Sequence, residues 1–167
     1  MTGKERFDIA LGGGQPDRVP LWELAFIESS IIGIASRFTD DVPPFKLLHE
    51  MDPNEVLALL RTLFFVVERL DLDGFTLPVQ AGTEVVGDNR VRDRLGIVYI
   101  PSDNGLALPV QGVTTNRAEL DAFTLPKVDE AWFMAATFAK MHFKDERAVV
   151  VMPPDPWKTY WAMIGDM

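Results

Sequence analysis

Two prolines set four residues apart, Pro16 and Pro20, restrict the local fold more than any other feature of this sequence. Neither can lie inside a helix, because proline lacks a backbone N–H and its ring clashes with the preceding turn. Each also disfavours helical geometry at the residue before it. The sequence therefore predicts a strand over residues 19–26, with Pro20 among its first residues, where a missing donor is tolerated.

The two charged residues that follow Pro16, Asp17 and Arg18, lie on the approach to the predicted strand. Side chains of opposite charge at such a position can form ion pairs with a neighbouring element. We therefore expect Asp17 and Arg18 to fasten the strand to an element beside it. The elements that come later in the chain are expected to lie alongside this strand.

Helix-start signals recur along the chain and alternate with short apolar strands. Thr2 and Glu5 have the spacing of a capping box. Asp52 and Pro53 supply an N-cap acid and a proline at the first helical position, which predicts a helix reaching Arg69. Further predicted elements are an irregular or helical stretch at 29–38, helices starting near 116, 129 and 156, and buried strands at 73–79 and 148–152.

The segment between the second and third predicted strands has a different pattern. Residues 85–100 and 106–113 flank a turn sequence that contains Asn104 and Gly105. Asn-Gly is typical of a tight hairpin turn, because both residues tolerate a positive φ. The sequence therefore predicts a β-hairpin inserted after the second strand.

The order of these elements predicts an α/β protein with a parallel sheet, because strands alternate with helices. Only three sheet strands are predicted, and the apolar second and third strands need neighbours on both sides. A complete (β/α)₈ barrel typically takes about 250 residues. We therefore predict an incomplete TIM barrel made of the first three βα units, with residues 1–167 forming the N-terminal part of one barrel domain.

Composition excludes several classes of partner. The formal net charge of −9 disfavours nucleic acid and anionic membrane surfaces, both of which attract clustered Lys and Arg. The chain has no cysteine, so it offers no disulfides and no thiolate metal ligands. Its first residues lack the apolar core of a secretory signal, and its apolar runs are too short to span a bilayer. A soluble cytoplasmic protein is the expectation.

Three features that resemble functional motifs have simpler interpretations. The glycines at 12–14 follow a predicted helix and lack the Lys-Ser/Thr of a phosphate loop, so they are interpreted as a helix stop. His49 and Glu50 lack a second histidine at helical spacing, which argues against zinc there. His142 shares a predicted helix face with Phe138 and is interpreted as packed or partly exposed. No metal ligands are predicted within these residues.

Three stretches carry a resemblance to a known family. They are Glu-Arg-Phe at 5–7 continuing to Pro-Asp-Arg-Val-Pro-Leu-Trp at 16–22, then Asp-Arg-Leu-Gly-Ile-Val-Tyr at 93–99, and Asp-Pro-Trp at 155–157 with Gly165. In order and spacing the chain resembles the N-terminal half of the uroporphyrinogen decarboxylase-like family. This family comprises the haem-pathway decarboxylase and relatives that move methyl groups to and from corrinoid proteins or thiols. The stretch at 93–99 is more similar to the methyl-transferring and uncharacterised branches.

Departures from the decarboxylase pattern point to the same branch. Two arginines that hold substrate carboxylates in the decarboxylase fall on Ala25 and Ser29, and its essential aspartate falls on Gln80. Uroporphyrinogen is rich in carboxylates, for which bidentate arginine is the natural partner. The resemblance therefore implies a methyltransferase acting with a corrinoid protein or a thiol acceptor. The alternatives are a uroporphyrinogen decarboxylase, and an inactive half-barrel or interaction module.

The resemblance also implies cofactors and partners for a complete protein. Zinc would be bound by ligands in the second half of the barrel, and a corrinoid would be the methyl carrier. The expected partners are a C-terminal half or a second copy of the chain, together with a corrinoid protein. The 167 residues alone are expected to be inactive.

Candidate site residues follow from the position of barrel active sites at the carboxyl ends of the strands. Glu23 and Gln80 are the catalytic candidates at the ends of the first two strands. Glu23 has a second interpretation, as a carboxylate facing the barrel interior or solvent. The predicted substrate-binding residues are Trp22, Phe26, Asp155 and Trp157. Asp155 has an alternative role as the cap of the last helix.

Overall fold

The computed structural model describes residues 1–78, 83–102, 107–153 and 155–164. The chain forms two compact units, and each is described by itself. The first consists of Met1–Pro78 with Phe133–Met152, and the second of Val79–Trp132 with Pro153–Met167.

The described residues contain both helices and strands, as expected for a mixed α/β chain. The helices are α1 (Gly3–Leu11), α2 (Glu28–Ala35), α3 (Pro53–Arg69), α4 (Arg117–Ala122), α5 (Met134–Phe143) and α6 (Pro156–Ile164). The strands are β1 (Trp22–Glu23), β2 (Gly74–Pro78), β3 (Thr83–Gly87), β4 (Arg90–Asp93), β5 (Val98–Ile100), β6 (Leu108–Gln111) and β7 (Ala148–Met152). Short 3₁₀ turns lie at Leu48–Glu50 and Glu130–Phe133.

The predicted helix starts are confirmed at both capping boxes. In α1 the Thr2 hydroxyl accepts from the Glu5 N–H while the Glu5 carboxylate accepts from the Thr2 N–H. In α3 the Asp52 carboxylate accepts from the N–H groups of Asn54 and Glu55. Each cap satisfies donors that the first turn of a helix leaves without an intrahelical partner.

The sheet of the first unit is parallel, and its strand order β1-β2-β7 follows the order of the chain. Trp22 lies level with Gly74, which in turn lies level with Ala148. Helices α2 and α3 lie between β1 and β2 in sequence, whereas β3 to β6 and two helices lie between β2 and β7. The prediction of an α/β chain with a parallel sheet is therefore confirmed, although the described strands form no closed barrel.

The first strand is much shorter than the predicted 19–26, because only Trp22 and Glu23 join the ladder. Pro20 has no N–H to donate, and the N–H of Leu21 donates to the Asp73 carboxylate instead of a strand carbonyl. Beyond Glu23 the chain turns, and the N–H of Ala25 points back to the Glu23 carboxylate at 3.4 Å. The ladder is thus limited at both ends by side-chain hydrogen bonds.

The hydrophobic core of the first unit lies on one face of the parallel sheet. Phe75 and Leu77 of β2 are buried against residues of α2, α3 and α5. Phe64 of α3 makes edge contacts with both Phe75 and Phe143, at centroid distances of 6.0 and 5.2 Å. Because these apolar side chains come from all three helices, the helices share a single side of the sheet.

Helix α1 packs on the opposite face of this sheet, at the amino-terminal end of β2. Side chains alternate along a strand, so Gly74 and Thr76 face away from Phe75 and Leu77. The Phe7 ring of α1 covers the glycine so closely that a Cβ on Gly74 would lie 3.0 Å from the ring and 2.8 Å from the Ala148 carbonyl oxygen. Glycine is therefore required where α1 and the sheet meet.

The second unit contains an antiparallel sheet of order β3-β4-β5-β6, rather than the predicted two-stranded hairpin. The segment predicted as one strand, 85–100, is broken by two turns. Asn89 adopts a φ of 52° in the first turn, and Gly96 adopts a φ of 90° in the second. Both residue types tolerate this left-handed region, so the chain can reverse twice. The predicted tip at Asn104 and Gly105 lies outside the described residues.

Helix α6 is attached to the end of this antiparallel sheet. The N–H groups of Val113 and Thr114 both donate to the Met163 carbonyl, at 2.8 and 3.2 Å. Within the described part of the chain, no helix combines the length and the apolar character needed to cross a lipid bilayer.

Candidate functional site

A network of charged side chains ties the amino-terminal ends of the parallel strands together. Asp73, which directly precedes β2, is fully buried and accepts hydrogen bonds from Arg6, Arg18 and the Leu21 N–H. The Arg18 guanidinium contacts both carboxylate oxygens, at 2.5 and 2.9 Å. Arg6 lies 2.9 Å from Asp73 and also forms a bidentate pair with Asp17. The expectation that Asp17 and Arg18 fasten the first strand to neighbouring elements is confirmed.

The carboxylates of this network are held in their charged form. Burial opposes ionisation of Asp73, but hydrogen bonds from Leu21 and Arg6 and the charges of Arg18 and Arg6 outweigh it, so its pKa is lowered. The hydrogen bonds from Arg6 lower the pKa of Asp17 to about 2. Carboxylates that stay ionised and paired at neutral pH are suited to holding structure together.

Among the predicted site residues, Glu23 lies at the carboxyl-terminal end of β1. It is exposed and level with Phe75, so it belongs to the face of the sheet on which the helices pack. Its carboxylate accepts the 3.4 Å contact from the Ala25 N–H. The geometry gives Glu23 the solvent-facing position that was the simpler of its two interpretations, and its catalytic role stays a prediction.

Trp22 lies on the other face and is the most firmly held of the predicted site residues. Its indole N–H donates to the Thr76 hydroxyl at 3.0 Å, and Thr76 is only 4% exposed. Its ring also meets the edge of Phe7 at a centroid distance of 6.5 Å and an interplanar angle of 79°. With 42% of its surface exposed, Trp22 presents a ring of fixed orientation to its surroundings.

We call the surface formed by Trp22, Thr76, Val150 and Met152 the Trp22 face. The strand register puts Val150 level with Thr76, and Met152 level with Pro78, so all four residues share one side of the sheet. Met152 is 40% exposed at the carboxyl end of β7. The Trp22 face is therefore an apolar surface with one buried hydroxyl, on the side opposite the helical core.

The remaining predicted substrate-binding residues have other surroundings. Phe26 is half-buried and packs against the hydrophobic core of the first unit. Asp155 caps α6, since its carboxylate accepts from the Lys158 N–H at 2.8 Å. Trp157 is 74% exposed, and its ring lies 5.9 Å from that of Tyr160. Gln80, the second catalytic candidate, lies outside the described residues.

The structure thus places the site candidates in different regions. The first unit contains Trp22 and Glu23, on opposite faces of the sheet, and Phe26, which packs against the hydrophobic core. Asp155 and Trp157 belong to the second unit. Thr76, which orients Trp22, was not among the residues predicted from the sequence. A lone hydroxyl in the apolar strand Gly-Phe-Thr-Leu-Pro was the signal available for it.

The two histidines have different surroundings. His142 pairs with Glu68 at 2.9 Å and stacks at 4.9 Å on Phe64, and His49 lies in a 3₁₀ turn. Among the residues described, no three His, Cys, Asp or Glu side chains form a group that could hold a metal ion. No family model, curated protein or solved structure matches this chain.

Proposed function

We propose that this chain is the N-terminal part of a barrel enzyme of the uroporphyrinogen decarboxylase-like family that transfers a methyl group, acting with a corrinoid protein or a thiol acceptor. The observation that carries the proposal is the parallel sheet, in which strand order follows chain order and α2, α3 and α5 share one face. In a barrel the helices that connect the strands lie outside, as α2, α3 and α5 would. Helix α1 precedes β1 and covers the other face at Gly74, the first residue of β2, where it would close the amino-terminal mouth of a barrel. The Trp22 face then corresponds to the inside of the barrel.

The chemistry of the Trp22 face fits substrate binding near the barrel axis. Its side chains are apolar apart from the Thr76 hydroxyl, which is engaged by the Trp22 N–H. A fixed and partly exposed indole offers a large contact area at a low cost in conformational entropy. In this proposal Trp22 binds the substrate, and the catalytic candidates are Glu23, the last residue of β1, and Gln80, which follows β2 in sequence.

A decarboxylase is less well supported, because the chain has no arginine where that enzyme would hold its substrate. Ala25 and Ser29 occupy the two positions, and both are exposed. The two arginines that precede these positions, Arg6 and Arg18, are paired with the carboxylates of Asp17 and Asp73 beside the entry to β1. The polyanionic substrate of a decarboxylase would lack its charge partners at this strand end.

The proposal requires further strands from outside these residues. Within the described residues β7 pairs with β2 alone, and its Val151 and Met152 are 36% and 40% exposed. Exposed apolar strand edges invite pairing with another segment. The partner is a C-terminal half or a second copy of the chain, and a C-terminal half would also bring the ligands for zinc. That metal activates a thiol or polarises a methyl donor.

A methyl-transfer assay tests this function. The protein, alone and complemented by the C-terminal half of a methyltransferase of this family, is incubated with methylcobalamin, zinc and a thiol, and the corrinoid spectrum is followed. We expect turnover only in the complemented sample. Uroporphyrinogen is supplied in parallel, and the appearance of decarboxylated porphyrin would overturn the branch assignment.

A substitution at Trp22 links that activity to the proposed site. Trp22→Ala is expected to lower turnover at least about tenfold, since each lost 1.4 kcal/mol of transition-state binding costs a factor of ten. Trp161→Ala is the matched control, because Trp161 has a similar exposure of 46% but lies on α6 in the second unit. If Trp22→Ala and Trp161→Ala had equal turnover, Trp22 would not belong to the proposed site.

A further inference from the structure

We draw no further inference here: the strongest candidate, the exposed apolar stripe of Met134, Phe138 and Met141 on α5, has nothing in the structure to show what covers it.

Discussion

The two ends of β1 differ sharply in how their polar groups are used. Beside its amino-terminal end Asp73 is fully buried, and both of its carboxylate oxygens are occupied by guanidinium or backbone donors. At its carboxyl-terminal end, which is level with the second residue of β2, Glu23 is exposed and accepts a single long contact from the next residue but one. Only a few residues separate Arg18 from Glu23, so the same stretch of chain contributes to both ends.

This difference indicates a division of labour within one short segment. The buried carboxylate of Asp73 locks the entry to β1, because removing it deprives both Arg6 and Arg18 of their shared partner. The exit from β1 has no such lock, and Trp22 is held there by one hydrogen bond and an edge contact. Because the entry to β1 is fixed, side chains at its exit can be held in defined positions.

The largest expected effect comes from Asp73→Asn. The substitution leaves two partly buried guanidinium groups, those of Arg6 and Arg18, without their shared carboxylate. We expect it to lower the free energy of unfolding by about 3 kcal/mol, as is typical when one partner of a buried ion pair is removed. Urea unfolding followed by circular dichroism measures the change.

Asp71→Asn is the matched control for that experiment. Asp71 pairs with Arg18 and Arg147 two residues away from Asp73, but its side chain is 71% exposed. Exposed pairs contribute roughly 0–1 kcal/mol, and asparagine tolerates the φ of 47° at this position. If both variants lost equal stability, burial would not distinguish the two aspartates.

The sequence revealed this network only in part, for a physical reason. Asp17 and Arg18 were identifiable because two neighbouring prolines fix the local backbone. Their partners were not, because Asp73 lies 55 residues beyond Arg18 and meets it only through the tertiary fold. Helix caps, by contrast, depend on residues two or three positions apart, and both capping boxes were predicted.

The strand predictions likewise succeeded where the cause is local in sequence and failed where it is distant. The apolar run of β7 was predicted at 148–152 because its composition alone marks a buried strand. The predicted length of β1 was wrong, since the length of this strand depends on the distant carboxylate of Asp73. The four-stranded antiparallel sheet was also missed, although Asp88-Asn89 is a local turn signal that could have found it.

The next largest effect is expected from acid, which should weaken the amino-terminal end of the sheet. The pKa values of Asp73 and Asp17 are lowered in the folded state, so the unfolded chain binds protons first as pH falls below about 4. Their stabilising contribution is therefore fully present above the ordinary carboxyl range and is lost as pH falls towards 2. Urea midpoints measured between pH 7 and pH 3 should decline steeply below pH 4. The decline should be shallower in Asp73→Asn, and an identical slope would contradict this assignment.

A smaller effect is expected where α1 meets the sheet, at Gly74. A methyl group there would lie 2.9 Å from the Ala148 Cβ and 3.0 Å from the Phe7 ring, so the elements must separate. Gly74→Ala should cost about 1–3 kcal/mol, the usual range for overpacking. The control is Gly33→Ala in α2, where a Cβ meets nothing within 4 Å. This second variant should gain about 0.5–1 kcal/mol from helix propensity. If Gly74→Ala lost no more stability than Gly33→Ala, Gly74 would not be specially constrained where α1 meets the sheet.

The smallest change in stability is expected at the carboxyl-terminal end of β1, for Glu23→Gln. The side chain is exposed, and its contact with the Ala25 N–H can be kept by an amide oxygen. The free energy of unfolding should therefore change by less than about 0.5 kcal/mol, as for most surface substitutions. Activity in the complemented methyl-transfer assay separates the two interpretations of this carboxylate. A catalytic role requires turnover to fall at least about a hundredfold at unchanged stability, because general acid–base catalysis contributes that much. Unaltered turnover would leave Glu23 as a solvent-facing carboxylate, consistent with its position level with Phe75 on the helical face. The contrast between the two ends of β1 would then rest on Trp22 alone.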